Sequence, residues 1–518
     1  MENVAYFLTR TARQRGHLPA IFHGDVVRDY SWLDDQVSRL AAGLRALGLN
    51  QGDRIGLVLE GEPRGFIALL APLRAGLVIV PMNPKLHPKE QLFAFRNCGA
   101  RAVIMSQAFV EGFLQCEKNL EREFVVLAMD SPKWTGVHDF GELIAASPAQ
   151  KGDAETAGTD VAWLFYTSGT TGKPKGAMLT HRNLISMASA LLVDVDPVAT
   201  DDRLAYLAPL SHSTGLMSFH HIARGSGHVF PTFAGFRTEP FYQMVQNHRV
   251  TTSFMVPTMI QSMLDDPSHR NYDISSLKTI FYGGAPSYVD RLKDAIRTFG
   301  PIFVQGFAQA EAPMACASLS RHEHRLDSRH VERRLGSAGR ENTLVTLRIF
   351  DEDDRELPPN TQGQIVVRGP IVMAGYWGNP EATEDALRNG WLHTGDVGYL
   401  DDDGYLFITD RLKDMIISGG SNIYPREIEE VLYAHPSVYE AAVFGVPDPK
   451  WGERVVAAVV RKPDARVSVS EGDLIDWCKE HLASFKKPSE IRFVNELPKS
   501  GYGKILKREA KQLFFPAS

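Results

Sequence analysis

Short apolar runs alternate with amphipathic segments over much of the chain, and this alternation restricts the fold more than any other feature. Residues 32–44 carry apolar side chains at nearly every third or fourth position, as an amphipathic helix does. Because strands that alternate with helices pack in layers, the pattern predicts an α/β fold. The strand-like runs are 55–59, 78–80, 102–105, 124–127, 204–206, 252–256 and 279–282.

The pattern changes after about Ser337, where shorter strands separated by turns, such as 364–369 and 404–408, predict a smaller β-rich subdomain. At 518 residues the chain is long enough for several units, since one domain takes about 100–200 residues. The N-terminal part is therefore expected to combine layered α/β subdomains with this β-rich subdomain.

The C-terminal part of the sequence predicts a compact α+β unit. An amphipathic helix is expected at 426–432, a strand at 441–446 and another helix at 474–482. We therefore predict a large domain over residues 1–410 and a small, mobile domain over residues 411–518.

Composition and charge exclude several classes of protein. Hydrophobic residues make up 44% and charged residues 23%, as in soluble globular proteins, and a net charge of -6 gives no reason to expect nucleic acid as a partner. The first residues lack the basic and apolar segments of a secretory signal. The most apolar window, 66–82, contains Pro72 and Arg74 and is shorter than the roughly 18 residues of a membrane span. We expect a cytoplasmic protein, and a homodimer stays open.

Cysteines and histidines give no sign of a metal site. The four cysteines lie far apart without a C-x-x-C pair, so we expect reduced thiols. The histidines form two groups that lack the spacing of zinc ligands, and the second group is expected to lie in a solvated loop. The cysteines are Cys98, Cys116, Cys316 and Cys478, and the histidine groups are His212, His220, His221 and His228, then His322, His324 and His330.

An apolar, strand-like run at 161–166 is followed by ten residues, 167–176, that are all Gly, Ser, Thr, Lys or Pro. Backbone N–H groups can converge on an anion only where side chains do not crowd the approach. The sequence therefore predicts a phosphate-binding loop held in place by a buried strand.

This loop is not a Walker loop. Gly169 and Gly172 are only three positions apart, and Lys173 is followed by Pro174. Because proline removes a backbone donor and disfavours helix at the preceding residue, no helix N-terminus is expected there to hold the phosphate.

Eight segments along the chain carry a specific resemblance. They are TSGTTGKPKG at 167–176, PLSHSTG at 209–215, YGGAP at 282–286, QGFAQAE at 305–311, GYWGNP at 375–380, WLHTGDVGYLDDDGY at 391–405, DRLKDMIISGGSNIYPREIE at 410–429 and PKSGYGK at 498–504. Over nearly its whole length the chain resembles the adenylate-forming superfamily of acyl-CoA synthetases, non-ribosomal adenylation domains and luciferases.

The resemblance implies an AMP-forming acyl-CoA synthetase. In that reaction a carboxylic acid attacks the α-phosphate of ATP, giving an acyl adenylate and pyrophosphate, and the thiolate of CoA then attacks the activated carbonyl. The partners would be ATP, CoA and a small-molecule carboxylic acid, with Mg²⁺ as cofactor. Two anions must meet, and at about 4 Å with an effective dielectric near 20 each unit-charge repulsion is about 4 kcal/mol, so the site must supply cations.

Most of the implied site residues bind the nucleotide. The phosphate loop would hold the β- and γ-phosphates, and Asp396 would accept hydrogen bonds from both ribose hydroxyls beside Arg411. Phe307 would offer an aromatic face to adenine, and Glu311 would bind Mg²⁺. The full ATP/AMP set is Thr167, Ser168, Gly169, Thr170, Thr171, Gly172, Lys175, Gly284, Ala285, Pro286, Phe307, Asp396, Arg411 and Lys504.

The remaining implied residues surround the acid and the thiol. Lys504 would bridge the acid carboxylate and the α-phosphate; His212, grouped with it as catalytic, would pack as a neutral imidazole that gates the passage from the acyl pocket to the pantetheine tunnel. Lys413 would be the hinge about which the small domain rotates, so that one site serves two half-reactions. The tunnel residues are Ser418, Gly419 and Gly420, and the acyl-pocket residues are Phe254, Gly283, Val304, Gly306 and Met314.

One departure from the family pattern bears on activity. Where the family usually has Tyr-Gly-x-Thr-Glu, this chain has Ala310 before Glu311, so a hydroxyl that would contact phosphate is missing. The loss costs about 1.5–3 kcal/mol unless Gln309 or a water replaces the contact.

Two alternative functions stay open beside the synthetase. One is an enzyme that loads a separate carrier protein, and the other is an ATP-binding pseudo-enzyme. Since the implied acyl pocket is mostly apolar, a fatty or aromatic acid is favoured over a dicarboxylate, which would need a cation in the pocket.

Overall fold

The computed structural model describes residues 2–116, 120–130, 134–167, 174–284, 288–326, 330–411, 414–418, 421–449, 451–462, 469–484, 486–499 and 505–516. The helices are α1 Tyr6–Arg15, α2 Tyr30–Ala46, α3 Pro63–Arg74, α4 Pro88–Asn97, α5 Gln107–Cys116, α6 Leu120–Glu123, α7 Phe140–Ala146, α8 His181–Ala190, α9 Ser213–Arg224, α10 Thr238–His248, α11 Pro257–Asp265, α12 Val289–Phe299, α13 Val331–Leu335, α14 Pro380–Ala386, α15 Pro425–Ala434, α16 Glu471–His481 and α17 Lys507–Phe514.

The strands follow the same order along the chain. They are β1 Pro19–His23, β2 Val26–Asp29, β3 Arg54–Val58, β4 Val78–Met82, β5 Ala100–Met105, β6 Val125–Ala128, β7 Val137–Asp139, β8 Val161–Thr167, β9 Lys175–Thr180, β10 Arg203–Ala205, β11 Gly227–Phe230, β12 Thr252–Met255, β13 Thr279–Gly283, β14 Phe303–Gln309, β15 Ala312–Leu319, β16 Arg340–Glu341, β17 Thr346–Phe350, β18 Gly363–Arg368, β19 Leu387–Arg388, β20 Trp391–Leu400, β21 Leu406–Arg411, β22 Ile416–Ser418, β23 Ser421–Ile423, β24 Val438–Asp448, β25 Gly452–Arg461 and β26 Glu490–Phe493.

Two largely parallel sheets form the main part of the N-terminal region. The first has the order β16-β15-β14-β13-β12-β10-β11-β1-β2, and its central strands, from β14 to β1, pair in parallel. The second has the order β7-β6-β5-β3-β4-β8-β9 and is parallel up to the antiparallel pair β8–β9. Strands β4, β12 and β13 are buried at every position, as expected for parallel sheets covered on both faces. The predicted α/β class is confirmed.

Helices α3 and α9 contact both sheets and fill the space between them. On α3, the Phe66 ring packs against His228 and Phe230 of β11, while the helix also contacts β3 and β4. On α9, Gly215 lies against Trp163 of β8, and the helix contacts β11, β12 and β15. Both helices therefore belong to the central hydrophobic core, which joins the two sheets.

The two smaller sheets agree with the predicted β-rich and α+β regions. Strands β17-β18-β20-β19, with β21 on β20, form an antiparallel sheet. Strands β23-β22-β25-β24, with β26 parallel on β25, form the C-terminal sheet, whose faces share hydrophobic clusters with α15, α16 and α17. The proposed boundary at residues 410–411 falls at the end of β21 and stays a prediction. None of the described helices has the length and apolar character of a membrane span.

The predicted solvated loop around His322, His324 and His330 is wrong for His324. Its imidazole is fully buried, with Nε2 at 3.0 Å from the hydroxyl of Tyr282 and Nδ1 at 2.8 Å from the carbonyl oxygen of Ser320. Burial lowers the pKa of His324 to about 4. Local charge pattern could not reveal this, because the partner hydroxyl comes from β13.

Three histidines of the first group are buried in the core as neutral side chains. His220 and His221 on α9 and His228 on β11 are fully buried, and the hydroxyls of Tyr206 and Tyr30 flank the His228 ring at 2.9 and 3.1 Å. Burial lowers the pKa of His220 and of His228 to about 3. A charged imidazole is therefore disfavoured in the folded chain.

These histidines predict a loss of stability in mild acid. In the unfolded chain each imidazole binds a proton below about pH 6.5, while the folded chain resists protonation down to about pH 3. Their stabilising contribution is thus complete above pH 6.5 and falls as the pH drops below it. We expect His220→Leu to reduce the slope of unfolding free energy against pH, between pH 6 and 5, by about 1.4 kcal/mol per unit.

Urea unfolding followed by circular dichroism at several pH values measures this slope. His138→Leu, at an exposed position on β7, is the matched control, because it removes an imidazole that lies outside the buried group. An unaltered slope in His220→Leu would contradict the prediction.

Candidate active site

The predicted phosphate loop connects two paired strands. Thr167 ends β8 and Lys175 begins β9, and the two residues are direct partners in the antiparallel register. A strand rather than a helix begins at Lys175, as expected from Pro174. Ser168, Gly169, Thr170, Thr171 and Gly172 lie outside the described residues. The stems of the loop are therefore fixed to the edge of the second sheet.

The carboxyl ends of β12, β13 and β14 lie side by side because the three strands are parallel. Gly283 pairs with Gly306, and a Cβ on Gly283 would lie only 2.5 Å from the carbonyl oxygen of Gly306. A Cβ on Gly306 would lie 2.4 Å from the ring of Phe281. Glycine is required at both positions so that the strands and this ring can approach closely.

The predicted acyl-pocket side chains share one apolar cluster beside these glycines. Phe254, Val304 and Met314 are buried together with Phe281 and Phe307, and the rings of Phe254 and Phe281 meet edge to face at 5.9 Å between centroids. The cluster contains the residues that the sequence assigned to the acid, whose binding there stays a prediction.

Met314 has a backbone conformation that the sequence did not indicate. Its φ is 62°, a left-handed value that costs a non-glycine residue about 1–3 kcal/mol, and its side chain is buried. It lies where β15 bulges against β14: Ala312 pairs with Gln309, and the next register pair joins Ala317 to Phe307. The bulge is a device of the kind often found next to functional sites.

Asp396 on β20 is held by Gln309. Its carboxylate is only 5% exposed, and Gln309 Nε2 donates hydrogen bonds to Asp396 Oδ2 at 2.6 Å and to the carbonyl oxygen of Thr394 at 2.9 Å. Arg411 of β21 is the register partner of Asp396, although its side chain lies outside the description. Gln309 therefore serves the predicted ribose carboxylate and does not replace the hydroxyl missing at Ala310.

Glu311 lies in the turn between β14 and β15 and is held by Tyr376. The Tyr376 hydroxyl donates a hydrogen bond to Glu311 Oε1 at 2.7 Å. Lys175 Nζ lies 5.0 Å from the centroid of the Tyr376 ring. Burial, and then the charge of Glu311, raise the pKa of Tyr376, so the phenol stays protonated and donates. Neither the contact nor the role of Tyr376 was recognised in the sequence.

The residues present fit a magnesium ion at Glu311. Magnesium commonly uses one or two carboxylates together with phosphate oxygens of the substrate, and Glu311 offers Oε2 while Tyr376 occupies Oε1. Among the described residues no three His, Cys, Asp or Glu side chains gather as a metal site of their own. Glu311 would thus share the ion with ATP.

His212 precedes α9 and is neutral at physiological pH. Burial lowers its pKa to about 4, and its ring meets the Phe165 ring edge to face at 5.1 Å. The hydroxyl of Ser211 lies 2.8 Å from His212 Nδ1. This environment agrees with an imidazole that packs rather than one that accepts protons.

The structure places the backbone of two further predicted site residues. Gly284 follows β13 with a φ of 78°, and Ser418 ends β22, where it pairs with Ser421 and Gly452. The roles assigned to these residues stay predictions. Those outside the described residues are Ala285, Pro286, Lys413, Gly419, Gly420 and Lys504.

Comparison with known proteins identifies relatives along the whole chain. The model of the AMP-binding enzyme family matches residues 8–377, and that of the AMP-binding enzyme C-terminal domain matches residues 427–504. Feruloyl-CoA synthase of Amycolatopsis sp is 39% identical over 507 residues, covering 98% of each chain. Long-chain-fatty-acid–CoA ligase FadD13 of Mycobacterium tuberculosis is 32% identical over 516 residues, covering 99% of each.

Solved structures show the same fold. ATP-bound MatB from Rhodopseudomonas palustris superimposes with a TM-score of 0.89 at 29% identity, with 99% of each chain covered. Amide bond synthetase McbA from Marinactinospora thermotolerans has a TM-score of 0.88 at 28% identity, with 99% of this chain and 100% of that chain covered.

The hydrogen bond between Gln309 and Asp396 predicts that Gln309→Met weakens nucleotide binding. Methionine keeps the length of the side chain but removes the donor, so Asp396 loses a neutral partner that fixes its carboxylate. Because a hydrogen bond to a charged group contributes about 1.5–3 kcal/mol, the affinity for AMP, measured by calorimetry, should fall about tenfold or more.

Gln305→Met is the matched control for this experiment. Gln305 lies on the same strand, but its side-chain oxygen accepts a hydrogen bond from Tyr282 at 3.1 Å, away from Asp396. The control should bind AMP as the parent does. Equal affinity in both variants would show that Gln309 does not support the nucleotide site.

Proposed function

The chain belongs to the AMP-binding enzyme family, and on this basis we propose that it is an AMP-forming acyl-CoA synthetase that activates an aromatic or fatty acid. ATP and the acid give acyl-AMP and pyrophosphate, and CoA then takes the acyl group. The observation that carries the proposal is the similarity, over 98% of both chains, to feruloyl-CoA synthase. The described site supports this proposal. Gln309 at the end of β14 holds Asp396, the predicted ribose carboxylate, and Glu311 in the turn after β14 is the predicted group at the phosphates.

We assign each side chain of the site to one part of the nucleotide. Asp396, held by Gln309, accepts hydrogen bonds from the ribose hydroxyls, and Phe307 offers its ring to adenine. Lys175 at the start of β9 places a positive charge beside the leaving pyrophosphate. Glu311 together with the phosphates would hold Mg²⁺, which would supply further charge neutralisation.

The acid carboxylate and the α-phosphate need a cation between them, and we assign this role to Lys504. The motif PKSGYGK that contains it falls within the match to the C-terminal domain model, which ends at residue 504. Rotation of the small domain at Lys413 would then replace Lys504 by the tunnel loop of Ser418, Gly419 and Gly420, so that the thiol reaches the adenylate.

The apolar cluster at the ends of β12 to β14 supports an acid without a second charge. A dicarboxylate would leave a charged group among Phe254, Phe281 and Val304, at a high desolvation cost. Aromatic rings suit this cluster because they pair edge to face at 4.5–7 Å. The relatives named for ferulate and for long-chain fatty acids agree with such an apolar site, and we propose an aromatic acid first.

A carrier protein in place of CoA is the second candidate. It is favoured by one relative, the fatty acid–[acyl-carrier-protein] ligase ScoC of Streptomyces coeruleorubidus, which is 32% identical and covered over 93% of its length. Cytoplasmic location and a homodimer stay predictions from the sequence.

Pyrophosphate release with a panel of acids tests the function directly. With ATP and Mg²⁺ we expect ferulate, cinnamate or medium-chain fatty acids to give pyrophosphate, and malonate to give little. Adding CoA or a phosphopantetheinylated carrier protein then distinguishes the two acceptors by the thioester formed. A folded preparation that binds ATP but releases no pyrophosphate with any acid would favour the pseudo-enzyme.

The assignment of Lys175 predicts a separation of the two half-reactions. Lys175→Met should lower the rate of acyl-AMP formation about a hundredfold, because it removes a preorganised charge from the phosphates. Thioester formation from premade acyl-AMP should stay within about twofold, since pyrophosphate has already left. Lys479→Met, at an exposed pair on α16, is the control, and equal loss of both half-reactions in Lys175→Met would contradict the assignment.

A further inference from the structure

The segment 373–377 joins the strand after the phosphate loop to the turn that carries Glu311. The backbone of this segment is hydrogen-bonded both to β9 and to the turn with Glu311, so the segment cannot move independently of either. The four bonds are Met373 N to Glu311 O at 2.8 Å, Ala374 N to Met178 O at 2.9 Å, Met178 N to Gly375 O at 2.8 Å and Trp377 N to Gly176 O at 2.8 Å.

The backbone of Tyr376 within this segment is fixed in one place. Its N–H donates to Thr383 Oγ1 at 2.8 Å, and the residue forms a β-bridge with Ala177. Gly375 has a φ of 139°, and a Cβ there would lie 2.7 Å from Thr383 Cγ2. The Cα of Tyr376 is therefore fixed beside Ala177, two residues after Lys175.

The ring of Tyr376 contacts two opposite charges at once. Its hydroxyl donates to Glu311 Oε1 at 2.7 Å, and the Lys175 ammonium lies 5.0 Å from its centroid, within the range of a cation–π contact. No ion pair between Lys175 and Glu311 is present among the described residues. Both charges are thus held in place without neutralising each other.

A direct ion pair between Lys175 and Glu311 would prevent both side chains from binding the phosphates and the cation. A lysine and a glutamate at contact distance attract strongly in a partly buried site, and the pair would offer neither a free carboxylate oxygen to a cation nor a free ammonium to phosphate. The phenol avoids this outcome because it is neutral, rigid and long enough to stand between them.

We propose that Tyr376 is a positioning residue for pyrophosphate departure, which keeps Glu311 available to Mg²⁺ and Lys175 available to the phosphates. The inference rests on the proposed function, since it refines the same site. The Tyr376 hydroxyl should then increase the affinity for ATP only when Mg²⁺ is present. The Tyr376 ring should increase the affinity that depends on Lys175, with or without Mg²⁺.

Calorimetric titration of the full chain with ATP, once with excess Mg²⁺ and once with EDTA, tests the hydroxyl. In Tyr376→Phe we expect the strengthening of ATP binding by Mg²⁺ to fall about tenfold, which is about 1.4 kcal/mol, while the affinity in EDTA stays within about twofold of the parent. An equal loss in both conditions would indicate a merely structural role and overturn the proposal, as would unchanged binding in both.

Tyr376→Leu tests the ring. It removes the spacer as well as the hydroxyl, so Lys175 can pair with Glu311, and the affinity for ATP in EDTA should also fall, by about tenfold or more. If the leucine and phenylalanine variants bind ATP equally in EDTA, the ring does not hold Lys175 for the phosphates.

Tyr405→Phe is the matched control. The Tyr405 hydroxyl donates to Glu323 Oε1 at the same 2.7 Å in a half-buried position, but the pair lies outside the candidate site, so its removal should not alter ATP binding in either condition. Failure of the proposed function would appear differently, as absence of pyrophosphate release by the parent protein with every acid, and the binding experiments need no acid and no CoA.

Discussion

The candidate site depends on two buried or half-buried carboxylates that each accept a hydrogen bond from a neutral donor. Gln309 donates to Asp396, and Tyr376 donates to Glu311. A buried carboxylate needs hydrogen bonds to offset its desolvation. Gln309 and Tyr376 contribute to this offset without adding a positive charge of their own. The rest of the site is arranged around these two pairs.

Three predicted site residues lie at the end of β14 and in the turn after it. Phe307, Gln309 and Glu311 alternate along this segment, and on the proposed function they would face adenine, the ribose carboxylate Asp396 and the phosphates. Their spacing follows from the pleat of a strand, in which alternate residues share a face. The parallel pairing of β12 to β14 places the apolar cluster of Phe254, Phe281 and Val304 beside Gly283 and Gly306, where a Cβ would meet the neighbouring strand or the Phe281 ring.

Much of this arrangement could be predicted from local pattern. Alternating runs indicated the layered sheets, Pro174 indicated that no helix begins after the phosphate loop, and the motifs indicated the family. What could not be predicted involves contacts between distant segments: Gln309 meets Asp396 across 87 positions, and Tyr376 meets Glu311 across 65. The left-handed φ of Met314 depends on a bulge against β14, and the burial of His324 depends on Tyr282, so neither has a signal in its own neighbourhood.

The structure also bears on whether Gln309 can replace the hydroxyl that is missing at Ala310. Because Gln309 is committed to Asp396 and Thr394, it does not fill the place of that hydroxyl at the phosphate. Unless a water replaces it, loss of that hydrogen bond, about 1.5–3 kcal/mol, is expected to lower the rate about 10- to 150-fold. Enzymes lower their barriers by at least about 8 kcal/mol, and Lys175, Glu311 and Asp396 remain in place. We therefore expect the substitution to slow the first half-reaction without abolishing it, which favours an active synthetase over a pseudo-enzyme.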